Sequence, residues 1–600
     1  MSAIAFYRKF SAFVLSILYF FNLSFSVLLP KTETAEVNGS LVTVDELGRS
    51  VVSAGTSKKK VGLFYFLVLG NHGTDGPFDN TKIVEGNPDA VLSDENWIKA
   101  GGGPVLTNHF WGEPLFGYYI ERDAWVIRKH LQMLTDAGID FIVFDTTNTV
   151  IYPTEVETLL DIWYEYYLQG WNVPKLAFYT NTNSGDTMNR IYDSFYNNGT
   201  LNSKYPRLDE LWFRIDEGKN AKPMIIGDSS DPVLRDDVKD FFRIKANQWP
   251  FEDKKADGFP WVEFNKRNLT LSAKYKGSLF DKSIASVSAA QHCDTVHFSA
   301  TAWYGGTDHS RSWHDGVVET GEDAVKYGYN FQEQWDFVNK LDPDIAFVTG
   351  WNEWIAVRGI SPVESEPILF CDAADTECSR DLEPSAGKLG DNYYMQLVAN
   401  VARFKGKTAS LKTGSRVTID IDGDFSQWDS ESITAIYRDY KNDTVDRDCA
   451  GYGSLWYSDD SGRNDIVNSK VAYDDSFIYF YVDTADTLTD PNGGAWMTLF
   501  VNTNGTKEGY DFVINRTAPE NGKTTIEAVT ESGYKKIAEA DIRFSGNRLM
   551  IRVAAGALGL TGAPSFSFKW ADNYVDGDIY SFYTKGDAAP YGRLNYSFGK

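Results

Sequence analysis

Eight short apolar runs alternate with amphipathic segments between residues 61 and 407, and this alternation limits the possible folds more than any other feature. The runs cover residues 62–69, 141–145, 176–181, 223–227, 241–246, 260–264, 284–290 and 345–350. Strand-like runs separated by helical segments are typical of parallel sheets with crossover helices. Eight such units predict a closed (β/α)8 barrel, the TIM-like fold.

The segments between the runs carry helix signals. Asp123 is a predicted N-cap, apolar residues follow at helical spacing from Trp125 to Leu134, and Gly138 ends the pattern. Two further helices are predicted at about 329–341 and near 392–404, the last of which closes the barrel.

The pattern changes after residue 407. Residues 408–415 have the composition of a short linker, and short alternating strands separated by Gly, Asn and Asp turns then continue to residue 600. Six hundred residues are also too many for one ordinary core. We therefore predict a multidomain chain, with a (β/α)8 TIM-like barrel at 61–407 followed by an antiparallel β-sandwich at 416–600. The polar residues 30–60 are predicted to be a linker.

The first 29 residues have the pattern of a secretory signal peptide, because Arg8 and Lys9 precede an apolar run. An uncleaved membrane anchor is the alternative. We predict a secreted, extracellular protein with no membrane contact after signal cleavage. Beyond this segment, seven N-x-S/T sequons agree with a secreted glycoprotein, at Asn38, Asn198, Asn268, Asn442, Asn504, Asn515 and Asn595.

Charge and composition limit the partners. The net charge of −25 argues against nucleic acid and anionic membranes as partners, and the aromatic content of 15% favours a neutral polysaccharide or glycan. Four cysteines are too few for a disulfide scaffold, and Cys371 and Cys378 are the predicted pair. The chain lacks zinc-ligand spacing, so we expect no metal in the barrel and no cofactor for catalysis.

The segment IAFVTGWNEW (345–354) places Glu353 between Trp351 and Trp354, directly after the last apolar run. In a (β/α)8 barrel, the carboxyl ends of the strands form the active face. Indoles stack on sugar rings, amides bond to hydroxyls, and a carboxylate acts as acid, base or nucleophile. The alternative is a core glutamate that is held by a salt bridge under packed tryptophans.

Polar residues after the other runs are expected to converge on the same face. Glycoside hydrolysis needs two carboxyl groups whose environments separate their pKa values. We predict Glu353, between indoles, as the acid, and Asp145, among Thr and Asn, as nucleophile, base or electrostatic partner. The substrate-binding candidates, each with a structural role as its alternative, are His109, Trp111, Glu113, Asn148, Glu263, His292, Trp303, Arg311, Trp351 and Asn352.

Several segments together resemble a known group of enzymes. These segments are GLFYFLVLGNHG (62–73), HFWGEPLFGYY (109–119), residues 125–145 and GWNEW. They are similar to the glycoside hydrolase family 71/99-like barrels, a superfamily that includes endo-α-mannanases, endomannosidases and α-1,3-glucanases. The resemblance covers roughly residues 61–407 and implies a (β/α)8 fold and metal-free catalysis.

One position departs from that family. In family 99 the strand-end motif carries a second Glu three residues after the first, whereas this chain has Ala356 there. Glu353 can therefore be carried over from the family, but its partner cannot. The partner is predicted to be Asp145 or a residue of the acidic loop 364–383.

The carboxyl-terminal region resembles a carbohydrate-binding module of the family 9-like type. The resemblance rests on IDGDFSQW (421–428), residues 470–482, WMTLFVNT (496–503) and FKWADN (568–573). It implies sugar binding by aromatic platforms and a structural calcium ion. The candidate platforms are Trp456, Trp496 and Trp570, and the candidate calcium ligands are Asp422, Asp424 and Asp465. Core tryptophans and solvated turn carboxylates are the alternatives.

These features together predict a secreted, endo-acting glycoside hydrolase that cleaves O-glycosidic bonds of a polysaccharide or glycan with two carboxylates. One alternative is a non-catalytic carbohydrate-binding or cell-wall protein with a degenerate barrel, which Ala356 favours. A second is a polysaccharide lyase that uses His or Tyr from the loop 297–316, which Arg311 and the local histidines favour.

Overall fold

The computed structural model describes residues 40–73, 75–248, 255, 257–262, 284–291, 301–414 and 416–599. Eight strands form one parallel sheet, and each lies within a few residues of a predicted run. The strands are β1 (Lys60–Tyr65), β2 (Phe141–Thr146), β3 (Lys175–Thr180), β4 (Met224–Gly227), β5 (Arg243–Gln248), β6 (Gly258–Pro260), β7 (Ile284–Ser288) and β8 (Ile345–Thr349).

The order of the strands is that of a singly wound barrel. Neighbours in the sheet run β7-β8-β1-β2-β3-β4-β5-β6, and every pair is parallel. Inward-facing side chains from β1 to β4 and from β6 to β8 meet in a single interior cluster. The ring of Phe259 on β6, for example, contacts that of Phe347 on β8 at 4.8 Å. The predicted barrel-like parallel sheet is thus confirmed.

Close packing between β1 and β2 explains why residue 62 is a glycine. The ring of Phe141 lies over Gly62, and a Cβ atom at position 62 would approach that ring to 2.2 Å. Only glycine therefore fits at this point of the strand.

The helices follow the sequence signals closely. Asp123 caps α3 by accepting hydrogen bonds from the backbone N–H groups of Trp125 and Val126. The helices of the described chain are α1 (Asn80–Gly86), α2 (Asp94–Lys99), α3 (Ala124–Asp136), α4 (Pro153–Leu168), α5 (Ser184–Ile191), α6 (Gly199–Lys204), α7 (Asp236–Phe241), α8 (Tyr329–Leu341), α9 (Asn392–Phe404) and α10 (Ser581–Thr584). Both α8 and α9 have the predicted bounds.

Small antiparallel sheets extend the loops of the barrel and of the carboxyl-terminal region. One contains the segment that directly follows the WNEW motif. They are formed by Asn108–Phe110, Ile355–Ile360 and Ile368–Phe370, by Trp313–His314 and Val317–Val318, and by Arg447–Ala450 and Trp456–Asp459.

Thirteen further strands belong to one hydrogen-bonded antiparallel sheet. Twelve strands follow one path and Asp587–Ala589 pairs beside it with Phe566–Asp572, so the β-sandwich stays a prediction. The strands are Leu41–Val44, Ser50–Val52, Ala435–Arg438, Ile466–Tyr473, Phe477–Thr484, Thr498–Asn502, Phe512–Ile514, Lys523–Thr530, Gly533–Ser545, Arg548–Ala554, Phe566–Asp572, Asp587–Ala589 and Asn595–Phe598. No strand forms at 417–421, at the start of the region predicted as a β-sandwich.

The barrel and the antiparallel sheet pack directly against each other. Strand Leu41–Val44, in the predicted linker 30–60, pairs with Asn595–Phe598 at the other end of the chain. In the second predicted linker, Ser410 accepts a backbone hydrogen bond from Ser40. One continuous cluster of buried apolar side chains includes residues of both regions. The linker prediction is therefore wrong for 41–44 and 50–52, because local polarity did not reveal long-range strand pairing.

Within the described ranges, no helix has the combination of length and apolar character that crossing a membrane requires.

Candidate active site

Glu353 follows β8 at the mouth of the barrel and binds a buried arginine. Its Oε2 accepts a hydrogen bond from Arg380 Nη2 at 2.8 Å, and the same nitrogen donates to Asp372 Oδ1 at 2.6 Å. The side chains of Glu353 and Asp372 keep 14% and 18% of their exposure, whereas that of Arg380 keeps 2%. One guanidinium therefore holds two carboxylates that still reach solvent.

Asp381 fixes the backbone beneath Glu353. Its Oδ1 accepts a hydrogen bond from the Glu353 N–H at 2.6 Å, and its Oδ2 accepts one from Trp111 Nε1 at 2.9 Å. The Arg380 guanidinium also lies 5.5 Å from the centre of the Trp261 ring. These contacts orient both the acid and the arginine that binds it.

Asp145 ends β2 and belongs to the same face. Its Oδ1 accepts a hydrogen bond from the Thr147 N–H at 3.0 Å, and the residue is 8% exposed. Its charge acts on Glu353, and that of Asp372 acts on Asp145 in turn. We refer to Asp145, Glu353, Asp372, Arg380 and Asp381 as the mouth cluster.

Burial shifts the proton affinities of the cluster. It raises the pKa of Glu353 well above the usual range, and repulsion from Asp372, Asp381 and Asp145 adds to this against the attraction of Arg380. Burial also raises the pKa of Asp145, and it raises that of Asp381 to about 6. A carboxyl group that keeps its proton near neutral pH is suited to donate it.

A histidine lies next to Asp145 and was not singled out in the sequence. His72 Nε2 and the Tyr152 hydroxyl share a hydrogen bond of 2.6 Å, and Asn148 Nδ2 donates to the same hydroxyl at 2.8 Å. Burial lowers the pKa of His72, and Asp145 partly opposes this shift. Asn148, a predicted binding residue, is exposed at the mouth, where its side chain can bond to a ligand.

Gln291, just after β7, offers a further polar group. The residue is 4% exposed, and neither amide atom has a hydrogen-bond partner among the described residues. Such an amide needs a partner from outside this part of the chain, and a sugar hydroxyl is one. The predicted binding residues Glu263 and His292 lie outside the described residues.

Three residues of the WNEW motif have structural roles. Trp351, Asn352 and Trp354 are each 0% exposed. Asn352 bonds to the backbone N–H and C=O of Phe66, and Trp354 Nε1 donates to Glu383 at 2.5 Å. The prediction that Trp351 and Asn352 bind substrate is wrong, because both are used to attach β8 to its neighbours.

His109 and Arg311 are also structural. His109 is 0% exposed, its Nε2 accepts a hydrogen bond from the Gly103 N–H at 2.8 Å, and burial lowers its pKa to about 3. Arg311 is 0% exposed, donates to the Asp381 carbonyl, and lies 4.1 Å from the centre of the Tyr393 ring. The substrate-binding prediction is wrong for both residues. Arg311 was one of the features that favoured the lyase alternative, and its burial removes that support.

A cavity of about 350 Å³ lies beside the mouth cluster, and its wall includes the predicted residues Trp111 and Glu113. Trp111 stacks on Trp354 at 4.4 Å, and Glu113 forms a salt bridge with Lys82 at 2.5 Å. Neither Glu353 nor Asp145 lines this cavity. Trp303 is half-buried, and its ring centre lies 5.7 Å from that of Trp97. It does not line this cavity.

The three candidate platforms of the carboxyl-terminal region differ. Trp496 and Trp570 are 2% and 0% exposed, and their Nε1 atoms donate to Thr489 O and Ser469 Oγ. Both are core residues, so the platform prediction is wrong for them. Trp456 is 64% exposed, on the strand Trp456–Asp459.

The predicted calcium ligands do not converge. Asp422 and Asp424 are exposed turn residues, and Asp424 caps a turn through the Ser426 N–H. Asp465 is largely buried elsewhere. Within the described chain, the acidic side chains that approach to ligand distance are Asp439, Asp443 and Asp587. The sequence signal misled because turn aspartates usually cap backbone N–H groups.

The predicted disulfide is absent, since no bond joins Cys371 to Cys378. Cys371 is exposed, whereas Cys378 is buried with its Sγ 3.6 Å from the Gly306 carbonyl oxygen. A spacing of seven residues brings two cysteines near each other along the chain but does not orient their side chains.

The sequons fall into three groups. Asn198, Asn442 and Asn504 are at least partly exposed, so glycosylation there stays a prediction. Asn515 and Asn595 are 1% and 5% exposed, and their amide nitrogens donate to backbone carbonyls. A glycan does not fit on either in the folded chain, so these two predictions are wrong. Asn38 and Asn268 lie outside the described residues.

Comparison with known proteins finds weak structural neighbours only. Two structures of a glycoside hydrolase family 99 endo-α-mannosidase from Bacteroides thetaiotaomicron, one in complex with bis-tris propane, are 17% and 16% identical to this chain. Each has a TM-score of 0.33, and each alignment covers 58% of this chain and 99% of the other. No protein-family model and no curated protein sequence matches the chain.

Proposed function

We propose that this protein is a glycoside hydrolase that cleaves internal O-glycosidic bonds of a polysaccharide or glycan. The observation that carries the proposal is the position of Glu353 at the carboxyl end of β8, partly exposed and with a strongly raised pKa beside Asp145. Acidic groups at strand ends of a barrel, in environments that differ, are what this chemistry requires.

Glu353 is proposed as the general acid. Burial and three neighbouring carboxylates favour its protonated form against the attraction of Arg380. Its proton would pass to the glycosidic oxygen as the bond to the leaving sugar breaks. Asp381 holds the backbone N–H of Glu353 and thereby the direction of the side chain.

Asp145 is proposed as the second carboxylate. Among the described residues it forms no ion pair with lysine or arginine, so its charge remains available to the sugar. It would act as nucleophile, as base for water, or by stabilising the oxocarbenium-like transition state. Asp372 is the competing assignment, because it comes from the acidic loop and shares Arg380 with Glu353.

Further parts of this proposal come from the sequence. We propose that the barrel is of the family 71/99-like type, and that the carboxyl-terminal sheet is a family 9-like β-sandwich that binds sugar. We also propose that residues 1–29 direct secretion as a signal peptide.

The test is the release of reducing ends from a panel of purified polysaccharides and glycans. Glu353→Gln and Asp145→Asn should each lower the rate by about 10²-fold or more, because each removes a group that acts in the transition state. Asp372→Asn tests the competing assignment in the same assay. Glu364→Gln, in the same acidic loop but exposed, is the matched control and should keep full activity.

The pH profile gives a second readout. A general acid must be protonated, so activity should fall as pH rises through the raised pKa of Glu353. Glu353→Gln should lose this alkaline limb. Full activity of both Glu353→Gln and Asp145→Asn would reject the proposed pair, and loss in Asp372→Asn alone would move the second role to Asp372.

A non-catalytic sugar-binding protein is the second candidate, and the Arg380 salt bridge favours it. A carboxylate bound to arginine at 2.8 Å serves structure as readily as chemistry. This candidate predicts glycan binding by calorimetry with no release of reducing ends from any substrate, and the same affinity for wild type and Glu353→Gln.

A further inference from the structure

The seam between the barrel and the antiparallel sheet contains buried acidic groups that the proposed function does not use. On the barrel side, α3 provides Asp123, which binds Arg447 at 2.7 Å, and Asp136, which accepts a hydrogen bond from Tyr440 at 2.9 Å. On the sheet side, three aspartates face each other. Asp439, Asp443 and Asp587 are 5%, 1% and 3% exposed, and they form the seam cluster.

Each member of the seam cluster presents one carboxylate oxygen to a common point. These three oxygens all lie within 4.8 Å of one another. Three oxygens spread evenly around one calcium ion at about 2.4 Å lie about 4.2 Å apart, which is within this limit. The three side chains are therefore close enough to share a single ion.

Donors among the described residues orient two of the three carboxylates. Gln132 Nε2 donates to Asp443 Oδ2 at 2.8 Å, and the Ile466 N–H donates to Asp587 Oδ2 at 2.6 Å. In contrast, Asp443 Oδ1 and Asp439 Oδ2 are buried without any hydrogen-bond donor among the described residues. Metal-binding carboxylates are typically fixed in this way, with one oxygen held and the other directed at the ion.

Gln132 provides an independent sign of a missing partner. It lies on α3, is 0% exposed, and its amide group lies against Asp443. Its Oε1 has no donor among the described residues. Amide oxygens are common calcium ligands, whereas an unpaired buried one carries a free-energy cost.

The balance of charge points the same way. Asp465 repels Asp587 as well. Its Oδ2 accepts a hydrogen bond from the Asn442 N–H at 2.8 Å, and its Oδ1 has no donor in the part of the chain that the structure describes. With Asp136 and Asp465, five carboxylates share this region with the ammonium groups of Lys569 and Lys129, which donate to the carbonyls of Pro590 and Asp443. So much buried negative charge is unfavourable unless some of the carboxyl groups keep their protons or a further cation compensates them.

We propose that the seam cluster binds one calcium ion through Asp439, Asp443 and Asp587, and that this ion joins the antiparallel sheet to helix α3 of the barrel. The ligands are oxygens only, which favours calcium over zinc. Magnesium keeps several waters in an octahedral shell, and a site walled by buried side chains suits it less. The site is independent of the proposed hydrolase activity.

The test is calcium binding by the full-length protein after treatment with a chelator. Calorimetry and elemental analysis should find one calcium per chain, and the thermal midpoint should rise with calcium but not with an equal concentration of magnesium. Asp443→Asn and Asp587→Asn should abolish both binding and the thermal shift. Gln132→Met should weaken binding by about 10- to 100-fold, as expected for a group that orients a ligand.

Asp422→Asn is the matched control, since Asp422 is an exposed aspartate of the same region, and it should bind calcium like wild type. In chelator, the Asp443→Asn and Asp587→Asn variants should be at least as stable as wild type, because each removes like-charge repulsion. Folding of each variant is checked by circular dichroism. Chelated wild type that takes up no calcium, or variants that bind it like wild type, would overturn the proposal.

Discussion

The mouth cluster and the seam cluster are both groups of buried carboxylates, yet they are compensated in opposite ways. At the mouth, Arg380 lies between Glu353 and Asp372, and those two side chains keep some exposure. At the seam, the carboxylate oxygens that face each other have no guanidinium between them and almost no exposure.

The difference shows what buried acid groups can be used for. A carboxylate that is compensated by a fixed arginine and reaches solvent can exchange a proton with a ligand. Carboxylates that converge with no arginine or lysine bound directly between them can instead bind a cation from solution. Burial alone therefore does not identify an active site, and the compensating group must be found.

The largest effect expected is from removing Arg380. Arg380→Met leaves Glu353 and Asp372 buried without their shared cation, which should lower the free energy of unfolding by about 3–5 kcal/mol. Urea denaturation followed by tryptophan fluorescence measures this. Arg403→Met is the control, because its salt bridge with Asp336 is largely exposed and should contribute about 1 kcal/mol or less. Equally small decreases in the free energy of unfolding for both variants would show that Arg380 does not compensate buried charge at the mouth.

An effect of intermediate size is expected from the pH dependence of the seam in chelator. Burial raises the pKa of Asp136 from 3.8 to about 7, so the folded state holds a proton that the unfolded state releases between these values. Stability is thus lost as pH rises from about 4 to about 7. Asp136→Asn removes this loss and should gain up to about 4 kcal/mol over wild type at pH 8, with little gain at pH 4.

Chemical denaturation at several pH values measures this difference. The exposed Asp460→Asn serves as the control and should follow wild type at every pH. A constant difference between Asp136→Asn and wild type across this range would contradict the raised pKa assigned to Asp136 at the seam.

The smallest effect expected concerns Trp456, whose indole is 64% exposed on a hairpin of the carboxyl-terminal region. Its hairpin packs on the barrel where Tyr452 N–H donates to the Tyr118 carbonyl and the Tyr452 ring contacts Phe110 at 5.0 Å. Trp456→Ala should weaken binding of long glycans by about 1 kcal/mol, seen as a raised KM, and leave short substrates unchanged. Trp456→Phe keeps a ring and should retain most of the affinity. Equal effects on short and long glycans would contradict a distal role.

Most of the barrel was predictable because its signals are local. The eight strands each lie where an apolar run of the right length ends in polar residues, and α3 begins at the capping residue Asp123. The strand at 41–44 was not predictable in this way. Its partner at 595–598 is at the other end of the chain, and no local pattern reports such a pairing.

The site was predictable in part. Strand-end position predicted Glu353 and Asp145 at the same face, and the acidic loop 364–383 was named as a source of a partner. Within that loop, nothing distinguished Asp372, Asp381 or Arg380 from their neighbours. His72 was also missed, although the glycine-flanked NHG turn after β1 was a weak signal.

The sequence by itself determined the order of elements and the acidic residues at strand ends, since hydrophobic periodicity and capping act between near neighbours. Only the tertiary structure decided that Trp351 and Asn352 are structural, that Arg380 compensates Glu353, and that Asp439 meets Asp587. Burial and charge compensation depend on side chains far apart in the chain, and these come together only when the barrel and the sheet have packed.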